Sequence, residues 1–283
     1  MIMSSRRSFL QNISVASATA MVIPSVIQAA TVRGEMGSAP ASVQFPIGFA
    51  GYSFVNFDLD HTLEMMNRLQ VKYLSVKDFH LPLNSSPDHI ASVRKKFADK
   101  GVTPYTVGVI YMKTKQEVDH AFDYAKSFGV NMIVGVPDEA LLPYVEEKVK
   151  STNIKMAIHN HGPEDKVYPT PKSIYDRIEK MDKRMGLCID IGHTFRAGVL
   201  PEQAIIQYAD RLFDLHIKDE DAMKADAKTI EIGRGAINFS ALMDVLRKIN
   251  YSGICSVEYE KDMDAPLVGM AESVGFFKGM MSK

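Results

Sequence analysis

Cysteine is scarce: only Cys188 and Cys255 occur in 283 residues. So few thiols provide no disulfide framework, and a chain of this length with 46% hydrophobic residues can bury a core that needs none. Both lie in apolar stretches, GLCIDIG and GICSVEY, that read as buried strands, so packed free thiols are expected. A charge excess is missing as well. The 33 basic and 34 acidic side chains nearly cancel, which gives no ground for a general affinity for nucleic acid or anionic membranes and suits a neutral or small polar ligand. Also missing is a membrane-length apolar run. The best approach to one, Ile13 to Ile27, is short and rich in Ser, Thr and Ala, so no stable membrane anchor is expected. Low-complexity segments and closely repeated sequences are absent.

What precedes that run is informative. Ser5-Arg6-Arg7-Ser8-Phe9-Leu10 leads into it, Pro24 interrupts it, and it ends near Ala29-Ala30. Paired arginines before a modest hydrophobic segment resemble a twin-arginine export signal, an address read by a receptor. The expected organisation is an export signal over residues 1–30, a Gly-, Ser- and Pro-rich linker over 31–45 and one domain over 46–283, located in the periplasm or outside the cell.

Within the domain, short β-rich runs alternate with amphipathic helical patterns. The strand-like runs are 47–54, 72–76, 103–110, 131–136, 154–159, 185–192, 211–218 and 253–260. The helical patterns following them lie near 58–69, 87–100, 115–128, 138–150, 171–181, 202–209, 239–248 and 268–281. Ala121, Tyr124, Ala125 and Phe128 show the three-and-four spacing of a buried helix face. Strict β-then-α alternation implies a parallel sheet, and eight such units predict a closed (β/α)8 barrel of the α/β class. An open doubly wound sheet would call for a Gly-rich first turn, and Ser53-Phe54-Val55-Asn56 is not one.

Barrel active sites form where strands end, so polar residues that close apolar strands mark the chemistry. They crowd the second half of the chain: His159-Asn160-His161, then Asp190 and His193, then His216, Lys218 and Asp219, then Glu258 and Glu260. Buried imidazoles and carboxylates at four successive strand ends need a common partner, and a divalent cation is the simplest. Mixed nitrogen and oxygen donors suit manganese, zinc, cobalt or iron better than a purely hard-oxygen ion, with magnesium still open.

These residues carry a specific resemblance. GLCIDIGHTFRAG (186–198), FDLHIKD (213–219), IGRGAINF (232–239) and GICSVEYE (253–260), in that order, resemble the xylose-isomerase-like barrel superfamily. This sugar phosphate isomerase/epimerase group includes hydroxypyruvate isomerase, ketose 3-epimerases and endonuclease IV. The resemblance implies one metal held by Glu, Asp, His and Glu at the last four strand ends. The last three fall on Asp190, His216 and Glu258, while His159 stands where the group has its first glutamate. A His159, Asp190, His216 and Glu258 set is therefore expected. Glu258, His193 and His161 are the candidates for proton handling. Lys77, His80, Arg196, Lys218 and Arg234, with Glu231, are candidate contacts to a small carbohydrate substrate.

A cation that chelates a carbonyl and a neighbouring hydroxyl acidifies the carbon between them, so isomerisation, epimerisation and β-elimination share an enediolate-forming first step. The resemblance extends to an exported His-Asn-His branch similar to 3-keto-glycoside lyases and glycal hydratases. Losing the first glutamate favours elimination across C1–C2 or the related hydration over 3-epimerisation, which uses a carboxylate on each face. A non-catalytic sugar-binding barrel is the remaining reading. Neither nucleic acid nor membrane is expected as a partner, and an oligomer is compatible with the sequence.

Overall fold

A computed structural model describes residues 45–282. The expected export signal and almost all of the linker lie outside the described residues. Eight parallel strands close into a barrel, with a two-stranded hairpin beside it. In chain order the elements are β1 (Ile47–Ala50), α1 (Leu59–Leu69), β2 (Tyr73–Val76), α2 (Pro87–Asp99), β3 (Thr103–Met112), α3 (Lys115–Phe128), β4 (Met132–Pro137), α4 (Leu142–Thr152) and β5 (Lys155–His159). They continue with α5 (Pro171–Ile178), β6 (Met185–Asp190), α6 (Ile191–Arg196), α7 (Pro201–Gln207), β7 (Leu212–Ile217), the hairpin strands β8 (Asp219–Glu220) and β9 (Thr229–Ile230), α8 (Phe239–Lys248), β10 (Cys255–Val257) and α9 (Leu267–Met281). Barrel order is β1-β10-β7-β6-β5-β4-β3-β2, so each strand lies beside its neighbour in sequence and β10 closes the ring on β1. The predicted (β/α)8 architecture is the one found.

Local chemistry explains the element boundaries. Thr114 starts α3 through a reciprocal capping box with Glu117, and Gly129 ends it at φ 85°, where a side chain would be strained. Its buried face holds Val118, Ala121, Phe122, Tyr124, Ala125 and Phe128, as the spacing predicts. Ser86, Thr170 and Asn238 similarly cap α2, α5 and α8. Cys188 and Cys255 are buried free thiols, as expected. No helix among the described residues is long and apolar enough to cross a membrane.

Three runs end at least two residues earlier than the sequence pattern suggested. The first stops at Ala50, and Gly51–Phe54 form a short 3-10 helix. The sixth strand stops at Asp190, because the Asp190 carboxylate accepts the His193 backbone N–H at 2.7 Å and so starts α6; Ile191 and Gly192 are helical. The last strand spans only Cys255–Val257, which leaves Glu258 and Glu260 on the rim beyond it.

Candidate metal centre and active cleft

Register places the chemistry. On β6 and β7, Asp190 pairs with His216, and the neighbouring His159 pairs with Cys188. Glu258 follows β10, where its backbone N–H bonds the Ile217 carbonyl at 2.9 Å. Four strand ends thus bring His159, Asp190, His216 and Glu258 together, with one donor atom from each lying within 4.8 Å of all the others. His159 Nε2 lies 3.1 Å from His216 Nδ1 and 3.6 Å from Asp190 Oδ2. His216 Nδ1 is 3.2 Å from Glu258 Oε2. Ligand atoms about 2.0–2.3 Å from a shared ion stand roughly 3–4.5 Å apart, so these separations fit a cation at their centre.

The donor set passes a second test. Asp190 Oδ2 is fully buried, and no group among the described residues is aligned to donate a hydrogen bond to it. Burial pushes the His159 imidazole down to about 3, so it is uncharged and free to offer a lone pair. Burial alone would raise the Asp190 carboxyl, but the Lys218 ammonium and the nearby His193 hold it well below the usual carboxylate range. Cys188 also approaches His159 and His216, but burial pushes its thiol up to about 12, which leaves it protonated and a poor ligand. His159, Asp190, His216 and Glu258 can therefore hold a metal ion.

Neighbouring residues fix the ligands. Asp190 divides its carboxylate between two tasks: Oδ1 caps α6 while Oδ2 faces the cluster. Asn160 clasps the same segment, accepting from the Asp190 backbone N–H at 3.0 Å and donating to the Asp190 carbonyl and to Thr194. Lys218, only 1% exposed at its side chain, lies 2.8 Å from Glu258, 3.1 Å from Asp190 and 3.3 Å from Glu260. Burial disfavours its ammonium, and those three carboxylates more than offset this and keep it charged.

Above the cluster opens a cleft of about 270 Å³ lined by Tyr52, Lys77, Val109, Tyr111, His159, His161, His193, Glu258 and Glu260. All three proton-handling candidates reach it. Burial pushes His193 down to about 4, and the Arg196 guanidinium donates to its Nδ1 at 3.3 Å, which leaves the proton on Nε2. His161 Nε2 and the Tyr111 hydroxyl share a hydrogen bond at 3.0 Å, and His161 Nδ1 lies 3.5 Å from Asp165.

Of the candidate substrate contacts, only Lys77 lines the cleft, with its Nζ donating to the Val109 carbonyl at 2.8 Å. Lys218 lies beneath it, among the ligand carboxylates. His80 turns away and bonds Thr62 on α1 at 3.1 Å, because the loop after β2 folds back over that helix. Arg196 is held behind His193 by Glu164 and the Ala225 carbonyl. Arg234 pairs with Glu272 on α9, and Glu231 with Lys261. Sequence reasoning missed Tyr52 and Tyr111. Tyr111 lies beyond the predicted end of the third strand, and β3 in fact runs on to Met112.

Comparison with known proteins agrees with this geometry. Residues 58–280 match the family described as xylose isomerase-like TIM barrel. An uncharacterised protein of Methanocaldococcus jannaschii is 30% identical over 102 residues, 34% of this chain and 33% of its own. The chain spans only about a third to two fifths of the curated relatives it matches. A solved protein of Parabacteroides distasonis shares 26% identity with a TM-score of 0.66, covering 83% of this chain and 98% of its own. The IolI protein, solved with a zinc atom bound, shares the fold at a TM-score of 0.68 and 18% identity, covering 83% of this chain and 96% of its own. With 223 consecutive residues matched, a closed parallel barrel and a metal-fit cluster at its last four strand ends, the chain belongs to the xylose isomerase-like TIM barrel family.

Proposed function

We propose that this protein is an exported, divalent-metal-dependent enzyme that cleaves 3-keto-glycosides by β-elimination across C1–C2. The observation that carries the reading is the acid–base set of the cleft. The carboxylates that line it, Glu258 and Glu260, both follow β10, and the imidazoles of His159, His161 and His193, gathered ring against ring, each have their charged form disfavoured by burial. An epimerase must return a proton to the opposite face, and a neutral imidazole with its proton on Nε2 is a hydrogen-bond donor rather than an acid. Elimination needs only one base.

When bound at His159, Asp190, His216 and Glu258, a divalent cation supplies a Lewis acid that polarises the substrate carbonyl. The chain's own groups do the rest. Glu258, kept ionised by Lys218, takes the C2 proton, made acidic by the adjacent C3 carbonyl. The electron pair forms the C1=C2 bond as C1–O breaks. The His193 Nε2–H holds the departing oxygen, which takes its proton from water. Export rests on the Arg6-Arg7 signature and agrees with glycosides being available outside the cytoplasm.

The test uses metal-loaded protein, a 3-keto-glucoside and a free ketose in heavy water. The expected result is aglycone release with deuterium entering C2, and a ketose unchanged at C3. Interconversion of ketose C3 epimers with the 3-keto-glucoside left intact would replace this reading with 3-epimerisation. Binding of both sugars without conversion of either would make the barrel a binding protein.

A further inference from the structure

The mouth of the barrel has two unlike halves. Every candidate metal ligand comes from β5, β6, β7 or the end of β10. The other half, where β1, β2 and β3 end, exposes aromatic rings. Tyr52 follows β1 and is 44% exposed, Phe79 follows β2 at 39%, and Tyr111 ends β3 at 54%. Among the described residues just one other Phe or Tyr, Phe276, is a comparably exposed large apolar group, and it lies on α9. Folding buries aromatic rings when it can, so Tyr52 and Tyr111, both exposed and both lining the cleft, point to a ligand that covers them.

Tyr111 is held as a platform. One face stacks on His161 with centroids 5.5 Å apart and planes at 22°, and its hydroxyl bonds His161 Nε2 at 3.0 Å. That fixes the ring with its remaining surface open at the cleft, which Glu258 and Glu260 also line. Tyr52 and Val109 line the same side. Lys77, the cation among the cleft residues on this side, already donates to the Val109 carbonyl and lies 3.5 Å from Asp78. Lys77 and the Tyr111 hydroxyl are already engaged, which disfavours a second sugar ring, whereas a flat apolar ring needs no hydrogen bonds here.

We infer that the β1–β3 rim is a leaving-group subsite for an aromatic aglycone, so that the substrates are aryl 3-keto-glycosides. This rests on the elimination reading and deepens it. It also meets the chemistry. A phenol leaves readily as its anion, so it asks less of the hydrogen bond from His193 Nε2–H than an alcohol does.

Binding tests the subsite without turnover. Phenyl glucoside, methyl glucoside and cellobiose, none carrying a 3-keto group, are titrated calorimetrically into the metal-loaded protein and into Tyr52→Ala, Tyr111→Ala and Tyr111→Phe. The phenyl compound should bind on the order of tenfold more tightly than the methyl one. Either alanine variant should remove most of that preference and leave methyl glucoside binding unchanged, while Tyr111→Phe should keep it. Equal binding of phenyl and methyl glucosides, or tighter binding of cellobiose than of either, would overturn the inference, as would alanine variants that weaken all three sugars alike. An aryl preference in a protein that releases no aglycone from the 3-keto form would instead sink the elimination reading and leave the aryl subsite standing.

Discussion

The Lys218 ammonium lies 2.8 Å from Glu258 Oε2, with Asp190 Oδ2 a further contact at 3.1 Å. It joins two carboxylates that also face the metal cluster. Burial would raise the Glu258 carboxyl, but Lys218 and then His216 outweigh it and hold Glu258 below the ordinary range. With Glu260, three carboxylates share this one lysine, and two negative charges are left for a divalent cation to balance. Lys218→Met should therefore destabilise the metal-free protein by about 3–5 kcal/mol, the typical consequence of stranding buried charge. Added manganese or zinc should recover more stability in the variant than in the parent. Urea denaturation with and without metal reads both values, and equal metal-induced gains would show that Lys218 and the cation do not share these carboxylates.

The ligand set itself is open to direct test. Metal that binds only the folded chain stabilises it by about 4 kcal/mol at a thousandfold excess over its dissociation constant. Chelation should lower the melting temperature accordingly. Asp190→Ala and Glu258→Ala should each lose the bound equivalent and the thermal gain together. Elemental analysis of the purified variants settles the matter, since a full equivalent retained by Asp190→Ala would remove that residue from the set.

The candidate site was legible in the sequence to the extent that it depends on strand ends. His159, Asp190, His216 and Glu258 each close an apolar run, and barrel topology alone brings such ends to one rim. His216 and Lys218, two residues apart, reach the same two carboxylates, Asp190 and Glu258, although β7 ends between them at Ile217. The partners of Lys218 were hidden, because Asp190 and Glu258 arrive from strands far away in sequence. His80, Arg196 and Arg234 look like Lys77 in sequence, as polar residues on loops after strands. Which of them faces the cleft is set by side-chain direction and by Thr62, Glu164 and Glu272, which periodicity does not encode. The start of α6 was missed for a related reason: Ile191 and Gly192 prolong an apolar run, and the turn depends on a single side chain, Asp190, capping it.

His80 provides a pH test away from the cleft. Burial pushes its imidazole from 6.5 down to about 4, despite the carbonyls of Phe57 and Phe54 and the charges of Asp58 and Asp78, which favour the cation. Below pH 6.5 the unfolded chain takes up this proton and the folded chain does not, so stability is full above 6.5 and falls as pH drops towards about 4. Each tenfold difference in proton affinity between the two states corresponds to about 1.4 kcal/mol, so the loss is on the order of 3 kcal/mol. His80→Gln retains a donor for Thr62 and does not titrate. Its stability should fall less than the parent's between these pH values, and parallel curves in urea denaturation would show that His80 does not drive the loss.

Arg196 makes the last prediction, because it reaches the chemistry only through His193. Its guanidinium donates to His193 Nδ1 at 3.3 Å and is itself fixed by Glu164 and by the Ala225 carbonyl at 2.9 Å. That arrangement sets the tautomer: with Nδ1 accepting, Nε2 keeps the proton that, on the proposed elimination, hydrogen-bonds the departing oxygen. Arg196→Ala frees the ring to take either tautomer and to tilt. Misoriented groups of this kind reduce activity by about 10–100-fold in well-characterised sites. The loss should fall on kcat with KM nearly unchanged, since Arg196 does not line the cleft. It should be greatest for substrates with poor leaving groups, which depend most on the His193 hydrogen bond. Measuring kcat for a series of aryl 3-keto-glucosides of graded phenol acidity would show this as a steeper dependence on acidity in the variant. An unchanged slope with a raised KM would mean that Arg196 binds substrate directly and does not act by holding His193.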